Sequence, residues 1–420
     1  MIRIILSQLF ENNHNFIYNV NIIKEREEQE LKLKNAIVHF FKGTDKLLLL
    51  VAIIASAFGT LMVYSAKLHT VDPGKIPRDA IVMAIAAILG IVLALLISLI
   101  DFDIICKLWP VWAIAGIALM ILVMSPLGVG PPNRPDSKVW IDLGFFYFQP
   151  SELVKILFII TFSTHLSAVK NSINKLLTVA GLAVHALIPT LLVMKSGDDG
   201  SAAVFICIAI AMIFIAGINW KYILAGAALI IAAIPLLWFK FFSAFQKQRF
   251  IVIFRPEDYP NVAYQQNRGI IAMSKGGFFG SGLFKGVYTQ GGRVPVSESD
   301  MIFTVICEEL GLLGGIAALL LIIFIIIRIV LNGKKSADAA STLMVYGLGA
   351  MIAAQTIVNI AMCLRIGPVI GITLPFFSAG GSSTLCLYIG LGLALSVYRT
   401  NYNQKPKDFR LSGMASPFRV

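Results

Sequence analysis

Residues 312–331 read LLGGIAALLLIIFIIIRIVL, and Arg328 is the one charged residue in this run. About 20 apolar residues in a helix cross a bilayer core of about 30 Å. The run is continuously apolar instead of alternating, which is typical of a membrane helix and not of a membrane barrel strand. We therefore predict a transmembrane helix here, within a span at 300–330.

Nine further stretches have the same character, and the composition agrees with them. Hydrophobic residues make up 57% and charged residues 14%, whereas soluble domains are nearer to roughly half and roughly a quarter. We predict an all-α integral membrane protein of about ten transmembrane helices, with a large extracellular loop at 243–299 between helices 7 and 8. The predicted spans are 46–66, 80–100, 106–126, 150–169, 174–195, 200–218, 221–242, 300–330, 338–363 and 380–398.

An even number of spans places both termini on one side of the membrane. Lysine and arginine favour the cytoplasmic side. The short loops are balanced between the two faces, but both terminal tails are rich in these residues. We therefore predict a cytoplasmic N-terminal tail at 1–45, a ten-helix membrane domain at 46–398 and a cytoplasmic C-terminal tail at 399–420.

The net charge of +12 fits basic residues that flank membrane spans and attract anionic membrane lipid. Nucleic-acid binding is not indicated, because no basic motif with interleaved aromatic residues occurs outside the spans. The cysteines and histidines show neither disulfide nor metal-ligand spacing, so we predict no metal-ligating residues.

The loop at 243–299 is too long to be a plain connection in a compact bundle. It carries seven basic and three acidic residues on a face where positive charge is normally depleted. We expect it to fold back onto the bundle and to bind an anionic group such as a lipid pyrophosphate, because arginine pairs with phosphate oxygens. Non-specific contact with lipid headgroups is the alternative. The basic residues are Lys247, Arg249, Arg255, Arg268, Lys275, Lys285 and Arg293.

Carboxylates occur at two edges of the same predicted face. Either Ser299 and Asp300 cap the helix that follows them, or Asp300 has a raised pKa beside an apolar wall and acts as a general base. Asp198 and Asp199 precede Gly200 between the fifth and sixth spans, either as a simple turn or as a second carboxylate near the same site.

Ionisable residues also occur inside predicted spans, where they are costly and normally pair. Lys155 lies in the fourth span with Glu152 on the same helical face, and Glu308 and Glu309 lie in the eighth. We predict that Lys155 pairs with one of these three glutamates.

Several long passages together go beyond composition. They are MVYSA at 62–66, VWIDLG at 139–144, FQPSELVK at 148–155, Arg249 with Tyr264 and Gln265, DMIF at 300–303, EELG at 308–311 and LPFFSAGGSS at 374–383. In this order they resemble the SEDS family, which comprises RodA, FtsW and SpoVE. The resemblance covers roughly residues 40–400, and FYFQP at 146–150 favours the RodA branch.

This resemblance implies a peptidoglycan glycosyltransferase. Such an enzyme polymerises lipid II, the undecaprenyl-pyrophosphate disaccharide-pentapeptide, at the outer face of the bacterial cytoplasmic membrane. It also implies a class B penicillin-binding protein as partner. No organic cofactor is expected, since the pyrophosphate is itself the activated leaving group. A divalent cation, magnesium or manganese, that bridges the pyrophosphate is left open.

The family's essential aspartate falls on Asp300, which the resemblance makes the general base for the acceptor hydroxyl. A second acidic position of the family falls on Asp198. The chain departs from the family pattern at Val139, where an arginine is common, and Lys138 is the substitute that we expect. The substrate-binding residues that we predict are Asp198, Arg249, Lys155, Glu152, Gln265, Lys138 and Ser382.

Two other functions fit a ten-span protein with buried charge. A flippase for the same polyprenyl lipid needs polar groups through the depth of the bilayer, whereas a polymerase needs a carboxylate at the outer face. A non-catalytic scaffold for a penicillin-binding protein would make the acidic residues of the loop dispensable.

Overall fold

The computed structural model describes residues 43–131, 137–336 and 338–404. The chain divides into two compact units, of which the first ends at Lys46 and the second is Leu47–Val420. The predicted tails fall mostly on residues 1–42 and 405–420, outside the described residues.

The described residues are mostly helical. The α-helices are α1 (Lys46–Lys67), α2 (Arg78–Ile97), α3 (Phe102–Lys107), α4 (Trp109–Met124), α5 (Pro150–Ala168), α6 (Leu176–Lys195), α7 (Asp199–Ile215), α8 (Trp220–Leu236), α9 (Ala244–Phe254), α10 (Pro260–Gly276), α11 (Val287–Gln290), α12 (Ile302–Lys334), α13 (Ala339–Cys363) and α14 (Gly381–Gln404). The strands are β1 (Gly128–Val129), β2 (Trp140–Asp142) and β3 (Tyr147–Phe148). Short 3₁₀ turns at Leu68–Thr70 and Lys170–Ser172 follow α1 and α5, and a π-helical turn at Leu237–Phe241 follows α8.

Eight of these helices are long and apolar enough to cross a membrane, judged by length and composition: α1, α2, α5, α6, α8, α12, α13 and α14. The helices α4 and α7 are equally apolar but have only 16 and 17 residues. Each predicted span coincides with one of these ten helices. The helical membrane fold is therefore confirmed, while the count of ten crossings stays a prediction.

Local sequence explains several helix starts. Pro150 occupies the first position of α5, where its missing N–H costs nothing. Asp338 caps α13, since its side chain accepts from the backbone N–H of Ser341 at 2.8 Å. Ser243 and Gln246 form a reciprocal capping box at the start of α9.

Close helix packing builds the centre of the bundle. The helix α14 packs along α2, and α13 packs against α12, α7 and α5. A Cβ at Gly90 would lie 2.7 Å from Tyr388 Cδ2, so only glycine lets these two helices approach. The buried hydroxyl of Tyr388 is satisfied by Ser56 Oγ at 2.9 Å.

A small antiparallel sheet lies in the connection between α4 and α5. Its order is β1-β2-β3, with Val129 opposite Trp140 and Ile141 opposite Phe148. These short strands are an addition to the predicted all-α membrane fold, which they leave intact. Strands of two or three residues are too short to leave an alternating pattern in the sequence.

The long segment at 243–299 contains α9, α10 and α11 and packs back onto the bundle, as expected. A Cβ at Gly269 would lie 2.5 Å from Met301 Cε, and one at Gly276 would lie 1.9 Å from the Cys307 carbonyl oxygen. These glycines stand two turns apart on one face of α10, so this face lies directly against the start of α12. The extracellular position of the segment stays a prediction.

The helix α12 is kinked at Gly311, whose φ of 69° and ψ of −168° are not helical. Residues 312–334 alone are about 34 Å long, which suffices for a bilayer core. Glu308 and Glu309 precede the kink, in the first part of this helix, and their depth in the membrane stays a prediction.

Candidate active site

The residues just before α12 are fixed by the turn at 374–379. The Ala379 N–H donates to the Glu298 carbonyl at 2.8 Å, and Ser378 Oγ donates to the Ser299 carbonyl at 2.7 Å. The same Ser378 Oγ accepts from the Leu374 N–H at 2.7 Å, which holds the turn in shape. The turn at 374–379 thus holds the successive carbonyls of Glu298 and Ser299.

The next carbonyl, that of Asp300, is fixed by α13. Asn359 is fully buried, and its Nδ2 donates to the Asp300 carbonyl at 2.8 Å and to the Ile372 carbonyl at 2.7 Å. The N-cap of α12 is Met301, without a side-chain cap hydrogen bond, so the expected capping role of Ser299 and Asp300 is wrong. The Asp300 carboxyl therefore does not cap α12. The hydrogen bond to the Asp300 carbonyl fixes the backbone from which this side chain extends.

The electrostatic surroundings of Asp300 suit a general base. Removal from water raises the pKa of its carboxyl to about 6, and the negative charges of Glu298 and Asp198 act in the same direction. A hydrogen bond with Ser299 and the positive charge of Arg249 oppose this rise. The side chain keeps some exposure to solvent. A carboxylate with a pKa near working pH can accept a proton and release it again.

Asp198 is an N-cap that joins the start of α7 to the start of α5. Its Oδ1 accepts from the Ser201 N–H at 3.0 Å, as the cap of α7. Its Oδ2 accepts from Gln149 Nε2 at 2.8 Å and from Ser151 Oγ at 2.7 Å, at the start of α5. Both oxygens are engaged by protein donors, so Asp198 is placed to hold the site together. Its neighbour Asp199 accepts from Gln246 Nε2 of α9 at 2.9 Å.

The predicted ion pair of Lys155 forms with Glu152. The two groups are 2.7 Å apart, three residues apart on α5, with Lys155 fully buried. A buried pair of this kind loses its hydration and is stable only while both partners are present. It leaves Lys155 bound to protein, and its predicted contact with substrate stays a prediction.

Glu308 and Glu309 do not pair with Lys155, contrary to the alternative that we kept open. Glu308 accepts from the Tyr288 N–H at 2.6 Å, and from the N–H and hydroxyl of Thr289 at 2.9 and 2.7 Å. Glu308 is fully buried, and two backbone amides and one hydroxyl satisfy its carboxylate.

Glu309 binds the same loop and the end of α1. It accepts from the Phe284 N–H at 3.0 Å, from Gln290 Nε2 at 3.0 Å and from Ser65 Oγ at 2.7 Å. The two glutamates therefore attach the segment 284–290 to α12 and α1. Sequence reasoning missed this because it looked for lysine as the partner of a buried carboxylate.

Lys138 and Ser382 also contact protein groups. Lys138 Nζ donates to the Ser125 carbonyl at 3.0 Å and the Met124 carbonyl at 3.4 Å, where α4 ends. A cation is favoured at the C-terminus of a helix, which accounts for a basic residue there. Ser382 Oγ accepts from the Gln149 N–H at 3.2 Å and so ties α14 to the start of α5. Substrate binding by either residue stays a prediction.

Arg249 and Gln265 approach the site from the long segment. Arg249 lies on α9 and lowers the pKa of Asp300, so its charge acts at the carboxyl. Gln265 lies on α10, one turn before the glycine that packs on Met301, and its buried Nε2 has no hydrogen-bond partner among the described residues. An unpaired buried amide costs about 1–3 kcal/mol, so it is available to a ligand.

Two features of the site were missed from the sequence. Lys67 Nζ lies 2.8 Å from Glu298 Oε1, next to the turn that carries Asp300. The position of Lys67 at the end of an apolar span is the signal that the sequence offers for this role. Asn359 was missed as well, although a polar amide inside an apolar helix is itself a sign of an interhelical role.

The described residues contain no group of three or more His, Cys, Asp or Glu side chains that could hold a metal ion. His165 and His185, which look scattered in the sequence, meet between α5 and α6 with their Nδ1 atoms 3.0 Å apart. The rings of Phe158 and Phe162 contact His185. The pair is a half-buried contact between α5 and α6, far in sequence from the turn that carries Asp300.

Comparison with known proteins places the chain among peptidoglycan enzymes. A family model of cell cycle proteins, FtsW/RodA/SpoVE, matches residues 45–403. The chain is 28% identical over 356 residues to the peptidoglycan glycosyltransferase MrdB of Escherichia coli strain K12, with 84% of this chain and 93% of that protein covered. It is 31% identical over 360 residues to the probable peptidoglycan glycosyltransferase FtsW of Coxiella burnetii, with 82% of this chain and 94% of that protein covered.

Solved structures share the fold. A chain from a peptidoglycan synthase complex that coordinates polymerization and crosslinking superposes with a TM-score of 0.71 at 24% identity, with 86% of this chain and 98% of that chain covered. The rod shape determining protein RodA of Thermus thermophilus gives a TM-score of 0.62 at 24% identity, with the same coverage. At this level of identity the similarity shows the architecture.

Proposed function

This chain belongs to the FtsW/RodA/SpoVE family of cell cycle proteins, and on that premise we propose that it polymerises lipid II with Asp300 as the general base. It is a multi-pass membrane protein and a peptidoglycan glycosyltransferase. The observation that carries the proposal is the fixed turn at 298–300. It presents a carboxyl with a raised pKa just outside the spanning part of α12.

The reaction needs one proton acceptor. The acceptor lipid II offers its sugar 4-hydroxyl, whose oxygen forms a bond to the donor's anomeric carbon. As the bond from that carbon to the pyrophosphate breaks, Asp300 takes the hydroxyl proton and later releases it to solvent. The electron pair of the broken bond leaves with the lipid-linked pyrophosphate.

Two side chains of the long segment support the leaving group and the sugars. The guanidinium of Arg249 stabilises the charge that develops on the departing pyrophosphate, and it already acts on the Asp300 carboxyl. The unpaired amide of Gln265 donates to an oxygen of the bound substrate. Both residues lie on helices that pack against the start of α12 or against each other.

The residues of the site also bear on how a divalent metal ion would be held. Both oxygens of Asp198 are engaged by protein donors, and the described residues offer no cluster of three metal ligands. We propose that a magnesium or manganese ion, where the reaction uses one, is held mainly by the pyrophosphate oxygens of the substrate. No step above is routed through such an ion.

We propose a class B penicillin-binding protein as the partner and both termini in the cytoplasm. The fold shared with a chain of a complex that coordinates polymerization and crosslinking supports the partner. The basic tails support the orientation, which puts the turn at 298–300 at the outer face.

The test is polymerisation of lipid II by the purified protein with its cognate partner. Asp300→Asn keeps the size of the side chain and removes the base, so glycan polymer should fall at least about 100-fold. Asp72→Asn is the control, because Asp72 is exposed and pairs with the exposed Lys75. Undiminished polymer from Asp300→Asn contradicts the proposal. Transfer of lipid II across vesicles, abolished by the same substitution while no polymer forms in wild type, would support a flippase instead.

A further inference from the structure

The last residue of α1 reaches the turn that carries Asp300. Lys67 Nζ lies 2.8 Å from Glu298 Oε1 and 3.7 Å from Asp79 Oδ2. The side chains of Lys67 and Glu298 are only 24% and 20% exposed. An ion pair that is shielded in this way is screened less by solvent and salt than a surface pair.

This pair connects α1 to the base through a short and rigid path. Glu298 stands two residues before Asp300, and its carbonyl is already bound by the Ala379 N–H. The end of α1 is attached to the long segment a second time, because Gln290 Nε2 donates to the Ser65 carbonyl at 3.2 Å. A shift of Lys67 would therefore displace the turn at 298–300.

The charges around Asp300 come from several elements. Negative charges come from its own segment and from the N-cap of α7, and a positive charge comes from α9. The neighbours from α13 are uncharged. Lys67 adds a positive charge from α1 that faces Glu298, and the carboxylate of Asp79 on α2 lies 3.7 Å from Lys67 Nζ. The groups are Glu298, Asp198, Arg249, Asn359, Cys363, Lys67 and Asp79.

We propose that Lys67 is a positioning residue for Asp300: through Glu298 it braces the turn that carries the base and balances the negative charge two residues before it. This inference rests on the proposed function of Asp300. Without Lys67, the Glu298 carboxylate would lose its ion-pair partner at 2.8 Å and would act more strongly on Asp300, with Arg249 still opposing it. Asp300 would then hold its proton to a higher pH and would be a competent base only above it.

The measurement is the initial rate of lipid II polymerisation between pH 5.5 and 9, with the cognate partner present. Lys67→Met should move the acid limb of this profile up by about half to one pH unit. The rate then falls about 1.5- to 3-fold at pH 6.5 and about 3- to 8-fold at pH 5.5, and it returns to near the wild-type rate at pH 8.5. Lys67→Arg keeps the charge and should keep the limb. Lys75→Met is the matched control, since it removes an exposed lysine of the same connection.

A second variant separates charge from structure. Glu298→Gln should move the acid limb down, and Lys67→Met combined with Glu298→Gln should bring the limb back to the wild-type position or below it. Should Lys67→Met not fold, the position of the acid limb in Glu298→Gln alone serves as the test. A loss of rate by one factor at every pH, or an acid limb that neither variant moves, overturns the inference. Loss of polymer in Asp300→Asn alongside unmoved limbs would leave the general base standing and remove only the role of Lys67.

Discussion

Asp300 is held where its own charge is unfavourable. Three consecutive carbonyls, those of Glu298, Ser299 and Asp300, are each bound by a donor from another part of the chain. The backbone therefore cannot turn the carboxyl away from its partly dehydrated position. A site that keeps a group in an unfavourable environment gives up stability for function.

The cost of holding the ionised Asp300 in this position can be measured as a lower free energy of unfolding. The pKa of Asp300 is raised from 3.8 to about 6, so the folded state binds this proton more tightly than the unfolded state. The free energy of unfolding therefore falls as pH rises from about 4 to about 6, and the whole loss is present above pH 6. Asn cannot ionise, so Asp300→Asn should be more stable than wild type by about 1–2 kcal/mol at pH 7.5, after allowance for partial solvation.

Thermal unfolding in detergent at pH 7.5 and at pH 4.5 checks this expectation. The advantage of Asp300→Asn should shrink at the lower pH, because the wild-type carboxyl is then protonated. Asp72→Asn is the control and should show no such difference, since Asp72 is exposed. An Asp300→Asn protein less stable than wild type at pH 7.5 would contradict the raised pKa.

At the scale of elements, the kink of α12 fixes how the long segment docks. Gly311 has a φ of 69°, and a Cβ there would lie 2.4 Å from the Gly280 nitrogen and from the Phe278 carbonyl oxygen. The kink lets residues 302–310 leave the axis of the spanning part. The glutamates just before it then reach the loop at 284–290.

Gly311→Ala should therefore be strongly destabilising, by about 3 kcal/mol or more, because it combines backbone strain with a backbone clash. Gly277→Ala is the matched control. Gly277 also has a positive φ, of 56°, but a Cβ there meets nothing within 4 Å, so about 1 kcal/mol of strain is expected. Urea or thermal unfolding in detergent compares the two. Equal losses would show that the close approach of Phe278 and Gly280 does not matter.

The spans were predictable because each rests on a local property. A run of about 20 apolar residues is visible without knowledge of its neighbours, and all ten predicted spans coincide with observed helices. Asp300 was reachable in the same way, from its motif and its place at the edge of a span.

The partners of the site were less predictable, since they depend on contacts far apart in the chain. Asn359 binds the carbonyl of Asp300 across 59 positions, and Lys67 binds Glu298 across more than 200. The same applies to the glutamates, whose partners combine backbone amides with side chains such as Thr289, Ser65 and Gln290. A sequence pattern for buried charge therefore indicates that a partner exists, but not which one.

At the scale of the molecule, the described helices from α1 to α14 form one membrane bundle whose fold matches that of solved relatives. The long segment covers the ends of α1, α12 and α13 with amphipathic helices and turns. Arg249 and Gln265 come from this cover, while Asp300 and Asn359 come from the bundle. The site therefore needs residues from both the long segment and the membrane bundle.

The central claim is that Asp300 accepts the proton of the acceptor hydroxyl. It is tested most directly by the pH dependence of lipid II polymerisation by the wild-type protein with its partner, from pH 5 to pH 8.5. Because the pKa of the carboxyl is raised to about 6, the rate should fall about tenfold per pH unit below that point and level off above it. The residual rate of Asp300→Asn should lack this limb. A wild-type rate that does not change between pH 5 and pH 8, or a limb that persists in Asp300→Asn, would contradict the claim.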